Sequence, residues 1–165
     1  MQTTRRLRHS RILAGVIGYA AIGGVACAAD SATQDVDITV QAVNEISVGA
    51  AVTLNVSSAT AGVSPTGLAS STYSITTNSA TSKKITAQLT SALTAGLTLS
   101  TNLQAPSTGT SAGAVALSTT ASDAVTSIEA VAATGLTISY AATATVAVAP
   151  NTYSAEVTYT IVNDS

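Results

Sequence analysis

The stretch Tyr153-Ser-Ala-Glu-Val-Thr-Tyr-Thr-Ile-Val162, near the C-terminus, alternates between two kinds of side chain. Successive side chains of a β-strand point to opposite faces of the sheet. One face would be apolar or aromatic, carrying Tyr153, Ala155, Val157, Tyr159 and Ile161. The other would be mostly polar, carrying Ser154, Glu156, Thr158, Thr160 and Val162. This pattern is typical of a half-buried antiparallel strand.

The same alternation recurs along the chain from residue 35 onward. It predicts strands at residues 35–43, 45–56 (broken at Gly49), 72–77, 83–89, 97–103, 115–117, 125–131, 136–148 and 153–162. Strand-like runs separated by turn signals, with no alternation of strands and helices, indicate two packed antiparallel sheets. We therefore predict an all-β fold, an immunoglobulin-like antiparallel β-sandwich of about seven to nine strands.

Pairing and core positions follow from the same pattern. We expect one β-hairpin joining 72–77 to 83–89 and a second joining 136–148 to 153–162 around Pro150-Asn151. Residues 118–135 also fit helical spacing, so a single helical turn is the alternative there, although their Val, Thr and Ile residues favour a strand. The expected core residues are Ile138, Tyr140, Val157, Tyr159 and Ile161.

The N-terminus carries export signals. Four arginines lie within residues 1–11, and an uncharged, largely apolar run follows at residues 12–29. With small residues at Ala26 and Ala28, this predicts a signal peptide at residues 1–29 and a single domain at residues 30–165, placed outside the cell or at its surface in a bacterial envelope. A retained membrane anchor is one alternative. A second is a lipid anchor on Cys27, because Gly24-Val25-Ala26-Cys27 is similar to a lipoprotein processing site.

The composition of residues 30–165 excludes several kinds of function. This part of the chain has two Lys and eight acidic residues, a formal net charge of −6, and no Arg, His, Cys, Trp or Phe. A nucleic-acid partner is excluded because such binding needs clustered cations. Without His or Cys, the usual general bases and nucleophiles are missing, so we predict no catalytic residue, no cofactor and no enzymatic activity. The nearest approach to a metal site is Asp35 with Asp37, which we interpret as a solvated strand face.

The closing stretch also carries a family resemblance. The run from Thr152 to Ile161, T-Y-S-A-E-V-T-Y-T-I, resembles the G-T-Y-x-x-x-V-T-Y-T closing strand of bacterial secreted fimbrial-type domains such as the spore coat U family. The resemblance implies an extracellular structural subunit without catalysis. The resemblance and the unreactive composition both indicate a cell-surface structural or fimbrial-type subunit.

Such a subunit would act through strand edges, because an unpaired edge is a template for a further strand. The expected partners are other copies of the chain or other surface proteins, and residues 35–43 are the expected donor because they form the first alternating element. The alternative for this segment is pairing within its own sandwich. The alternative function is an extracellular binding module for a carbohydrate or a surface partner, with its site on the loops at residues 57–71 and 104–113.

Overall fold

Nine strands and no helix make up the part of the chain that the computed structural model describes, residues 31–57 and 60–165. The strands are β1 (Asn44–Val48), β2 (Thr66–Thr77), β3 (Lys83–Leu89), β4 (Leu97–Leu103), β5 (Thr110–Ser111), β6 (Ala114–Ala116), β7 (Ser122–Ile128), β8 (Val131–Ala144) and β9 (Val157–Asn163). All belong to one unit, Thr39–Ser165. The predicted signal peptide and Cys27 lie outside the described residues.

The strands form two antiparallel sheets, as the sequence predicts. The five-stranded sheet has the order β1-β2-β8-β4-β6, and the four-stranded sheet has the order β5-β7-β3-β9. Side chains from both sheets form a single buried cluster. β3 shows why: Ile85, Ala87 and Leu89 are buried at every second position, so one face of the strand supplies the core.

Both predicted hairpins are wrong. β2 lies in the five-stranded sheet and β3 in the four-stranded sheet, and β8 and β9 are divided in the same way. β2 pairs with β1 and β8, whereas β9 pairs with β3. Alternation fixes which side chains face the core, but that face is equally satisfied whether the next strand stays in its sheet or crosses to the other.

The N-terminal part of the strand prediction is also wrong. Residues 31–43 form no strand, and the first strand, β1, begins at Asn44. After β1, the Gly49 amide donates a hydrogen bond of 2.7 Å to the Thr72 carbonyl, and residues 49–57 leave the sheet. Leu54 and Val56 still pack against the core, so this part keeps its alternation without strand pairing.

The ambiguous region at residues 118–135 contains no helical turn; it holds β7 and the beginning of β8, so the predicted strand at residues 125–131 is interrupted at residues 129–130. β7 covers Ser122–Ile128 and buries Ala124, Val125 and Ile128. Its register with β3 shifts on either side of Ile85, and Ser127 has a positive φ of 57°. The irregularity explains why adjacent residues Ala124 and Val125 are both buried, a pattern that does not follow strict alternation.

Candidate functional site

In the part of the chain that the structure describes, the ionisable side chains form pairs on the sheet surface and no larger cluster. Lys84 forms a salt bridge of 3.1 Å with Asp123 on the neighbouring strand. Lys83 donates a hydrogen bond of 2.5 Å to Oδ1 of Asn163, which lies directly opposite on β9. Among the described residues, no three His, Cys, Asp or Glu side chains lie close enough together to hold a metal ion. The candidate site must therefore be sought in surfaces and strand edges.

The free edge of β9 is the first component of such a site. β9 ends its sheet, so it has a hydrogen-bonded neighbour, β3, on one side only. Val157, Tyr159 and Ile161 oppose core residues of β3 and face the interior, but each is only half-buried. Of the five core residues predicted from the sequence, Ile138 is fully buried, while the others pack against the core from its margin: Tyr140, Val157, Tyr159 and Ile161.

Hydroxyl groups join the two sheets beside this edge. The Tyr159 hydroxyl lies 3.0 Å from Oγ1 of Thr101 and donates a hydrogen bond of 3.0 Å to the Tyr140 hydroxyl. Burial raises the pKa of Tyr159 well above its usual value, and the bond to Tyr140 raises it further, against an opposing effect of the Thr101 bond. The Tyr159 side chain is therefore neutral at physiological pH, and its hydrogen bonds fix the margin of the core.

A groove with little charge opens between the sheets next to β9. Its volume is about 1250 Å³, and its walls include the first half of β9, the C-terminal end of β8 and the beginning of β4. Two segments outside the strands complete it, at residues 49–56 and 145–156. Glu156 is the one carboxylate among its lining residues. The groove therefore presents aliphatic, tyrosine and hydroxyl side chains with little charge, a surface suited to an extended, uncharged face of another chain segment.

The segment predicted as a donor strand is exposed. Val36, Ile38 and Val40 are 71%, 83% and 79% exposed, respectively, although they alternate as in a half-buried strand. Residues 31–38 belong to a unit of their own, Met1–Ile38. The segment has the side-chain pattern of a strand but no strand structure in the described chain.

The root of this segment is fixed by Asn78. Its Oδ1 accepts a hydrogen bond of 2.7 Å from the Val43 amide, and its Nδ2 donates one of 2.8 Å to the Gln41 carbonyl. The Asn78 amide also donates a hydrogen bond of 3.2 Å to the Val43 carbonyl. These contacts hold residues 41–43 beside the turn that follows β2.

The two loops predicted as an alternative binding site do not come together. Residues 66–71 of the first loop are part of β2, and residues 60–63 line the groove. The second loop, residues 104–113, follows the other end of β4, where the Gln104 amide donates to the Thr137 carbonyl. The groove, which sequence reasoning missed, is formed instead by residues 49–56 and 145–156. Its one sequence signal is the apolar alternation of Val52, Leu54 and Val56 continuing beyond Gly49.

Three comparisons with known proteins gave no match. No family model matches the chain, and no curated protein or solved structure shows significant similarity to it. The described residues, 31–57 and 60–165, contain no helix that is long and apolar enough to span a membrane.

Proposed function

We propose that this protein is a non-enzymatic structural subunit of the bacterial cell surface that self-associates through strand edges. The observation that carries the proposal is the exposed alternation of Val36, Ile38 and Val40. An extended segment with one apolar face gains stability when it adds to a free sheet edge, because its backbone acquires hydrogen-bond partners and its apolar side chains leave water. Residues 35–43 of one copy are the added strand.

Burial of these apolar side chains contributes to the free energy of such an addition. Full burial of a Val or Ile side chain contributes about 1.5–3 kcal/mol. Three such side chains would contribute about 4.5–9 kcal/mol, which is comparable to the cost of about 4–15 kcal/mol for bringing two molecules together. The new main-chain hydrogen bonds would help to offset the further cost of ordering the segment. The association is therefore expected to be reversible and dependent on protein concentration.

The export signal predicted from the sequence supports the same proposal. The basic and apolar N-terminus would deliver residues 30–165 to the cell exterior, where a cysteine-free domain depends on burial and sheet hydrogen bonds for its stability. N-terminal sequencing of material recovered from the medium or the cell surface should give a chain that starts at residue 29 or 30. A chain starting at a lipid-modified Cys27 would instead assign a membrane tether.

The test of self-association is sedimentation velocity of residues 30–165 over a range of concentrations. We expect species larger than a monomer to increase with concentration. The variant Val36→Ser/Ile38→Ser/Val40→Ser should remain monomeric, because it removes only the apolar face of the segment. The matched control, Thr39→Ser/Gln41→Ser, changes the opposite face without altering the charge and should associate like the parent. A parent that stays monomeric at its highest soluble concentration would disprove the proposal.

A further inference from the structure

The core of the sandwich is incompletely closed where it meets the groove. Among the described residues, twelve apolar side chains pack against the core without being fully buried. Six of these twelve line the groove: Leu54, Val56, Leu93, Tyr140, Val157 and Tyr159. Two core residues, Leu99 and Ala142, also reach it, and each is 8% exposed. These eight side chains form the floor of the groove, and an apolar occupant would complete their burial.

The rim of the groove is polar and nearly uncharged. It includes the exposed residues Thr145, Asn151, Thr152 and Ser154. Glu156 is the one carboxylate among the described lining residues, and none of them is a Lys or Arg. A carboxylate or phosphate ligand would therefore meet Glu156, and a domain with a formal net charge of −6, without a cation to pair with. The charges select against an anionic ligand.

A hydroxyl hydrogen is left free in the groove. Because Tyr159 donates its single hydroxyl hydrogen to Tyr140, the 3.0 Å contact between Thr101 and Tyr159 must be donated by Thr101. The resulting chain of hydrogen bonds ends at Tyr140, whose hydroxyl donates to no other described residue. Each bond in such a chain polarises the next, which strengthens the final donor. Tyr140 thus offers a hydrogen bond to an acceptor oxygen in the groove.

We propose that the groove binds a neutral long-chain acyl ester. The aliphatic chain lies on the floor, an ester oxygen accepts the hydrogen bond of Tyr140, and the uncharged head group lies at the rim. The groove has a volume of about 1250 Å³, above the roughly 300–1,000 Å³ of most small-molecule sites, so it admits a long chain. This inference goes beyond the proposed function and does not depend on it, because residues 35–43 do not line the groove.

An acyl chain fits the floor better than a neutral sugar does. Four of the six partly buried floor residues are aliphatic: Leu54, Val56, Leu93 and Val157. Sugars pack against the faces of aromatic rings, whereas an aliphatic chain gains from burial against any apolar surface. The two aromatic residues of the floor, Tyr140 and Tyr159, have their hydroxyl groups joined to each other. Their contribution is the hydrogen bond that orients the ester.

The first experiment measures affinity by isothermal titration calorimetry. The protein is the Val36→Ser/Ile38→Ser/Val40→Ser variant, so that self-association does not contribute. The ligands are the glycerol monoesters of octanoic, decanoic and dodecanoic acid, each below its micelle concentration. We expect the affinity to rise about fourfold per added methylene, because each methylene is buried on the floor. Absence of binding, or an affinity that does not depend on chain length, would overturn the proposal.

Sodium decanoate is the matched control for charge. It has the same chain as the decanoyl ester but carries an anionic head group, so it should bind more weakly. Glu156→Gln should reduce the difference between the two ligands, because it removes the one carboxylate of the groove. Decanoate that binds as tightly as the ester would contradict the assignment of a neutral ligand.

The second experiment locates the ligand by proton NMR. Residues 30–165 contain four tyrosines and no Phe, Trp or His, so these four rings give all the aromatic side-chain carbon-bound proton signals. Tyr140, Tyr153 and Tyr159 line the groove, whereas Tyr73 does not. Titration with the decanoyl ester should shift the signals of the three groove tyrosines and leave those of Tyr73 in place. Equal shifts of all four, or a shift of Tyr73 alone, would overturn the groove as the binding site.

The third experiment tests the free hydroxyl. Tyr140→Phe should weaken binding of the decanoyl ester about two- to tenfold and keep the dependence on chain length, because the aliphatic floor remains. Tyr153→Phe is the matched control, since that hydroxyl already donates to the Ala149 carbonyl, and its affinity should equal that of the parent. Equal affinities of the two variants would contradict the role of Tyr140. If Tyr140→Phe does not fold, the chain-length series and the tyrosine shifts still decide whether the groove binds the ester.

Discussion

The Tyr73 side chain is buried in the core, where its hydroxyl donates a hydrogen bond of 2.5 Å to the Gln104 carbonyl. Burial raises the pKa of this hydroxyl to about 12 and also raises that of Tyr159. Both residues supply apolar area to a core without Phe or Trp, and each needs a partner for its hydroxyl. The reliance on tyrosine thus makes the core sensitive to alkaline pH.

The free energy of unfolding should fall as the pH rises above 10. Tyrosine has an ordinary pKa of 10.0, and the folded value for Tyr73 is about 12. Between these values, the unfolded chain has released a proton that the folded chain still holds, so raising the pH favours unfolding. The stabilisation is fully present below pH 10 and declines by about 1.4 kcal/mol per pH unit for each such tyrosine.

Urea unfolding measured across this pH range checks the effect. Tyr73→Phe removes one titrating group, so its stability should decline less steeply than that of the parent. Tyr153→Phe is the matched control, because that hydroxyl bonds to the Ala149 carbonyl in an exposed position, and it should follow the parent curve. Identical slopes for the parent and Tyr73→Phe would contradict the assignment.

At the scale of single elements, the sequence predicts where many strands lie. β3 and β4 occupy the same residues that alternation predicts, 83–89 and 97–103. This succeeds because alternation directly reflects which side chains leave water. The predicted strand at residues 35–43 has the same pattern but no strand pairing, since the pattern records an ability to pair and not the presence of a neighbour.

Strand partners and the groove could not be predicted in this way. Ile85 would face the core equally well beside β2 or β9, and the turn at residues 78–82 lacks a two-residue Asn-Gly or Asp-Gly signal that would select a hairpin. The groove depends on which strands end each sheet and on where residues 145–156 cross between sheets. These are properties of the tertiary arrangement, to which local alternation is insensitive.

A disulfide can test the observed pairing of β9. Gln88 and Thr158 are directly opposite on β3 and β9, and opposed residues in antiparallel strands have Cα atoms about 4.5–5.5 Å apart, within the range for a disulfide. Gln88→Cys/Thr158→Cys should therefore form an intramolecular disulfide on oxidation, measured by mass spectrometry of the monomer fraction.

The matched control tests the hairpin that the sequence suggested. In a hairpin closed at Pro150-Asn151, Thr158 would oppose Thr143, so Thr143→Cys/Thr158→Cys would be the pair that links. In the observed topology, these two residues belong to different sheets and should stay reduced within the monomer. Efficient linkage of the control pair, with none of the first pair, would contradict the sheet assignment.

At the scale of the whole molecule, charge opposes assembly while apolar area favours it. Residues 30–165 carry a formal net charge of −6. The segment that we propose as the added strand contains Asp35 and Asp37, and the groove beside the free edge of β9 includes Glu156. Like charges would thus approach one another if the segment of one copy is added at the β9 edge of another, and copies of the whole domain also repel each other. Reversible assembly would follow from this opposition.

Salt should therefore strengthen self-association. The Debye length falls from about 30 Å at 0.01 M ionic strength to about 3 Å at 1 M, so added salt screens the repulsion but leaves apolar burial in place. We expect sedimentation velocity to show a shift toward larger species as sodium chloride is raised. An exposed charge contact is worth about 0.2–1 kcal/mol, so screening one such repulsion should lower the dissociation constant by up to about fivefold.

Glu156→Gln separates repulsion at the groove from the effect of net charge. It removes one negative charge beside the free edge of β9 and should strengthen association at low salt while reducing the salt response. Glu45→Gln removes the same charge from β1, at a position that does not line the groove, and should change the salt response less. The two variants have the same net charge, so they differ only in the position from which a negative charge has been removed. Dissociation of the assemblies by salt would show that ionic attraction holds the copies together, in contradiction to association through the apolar face of residues 35–43.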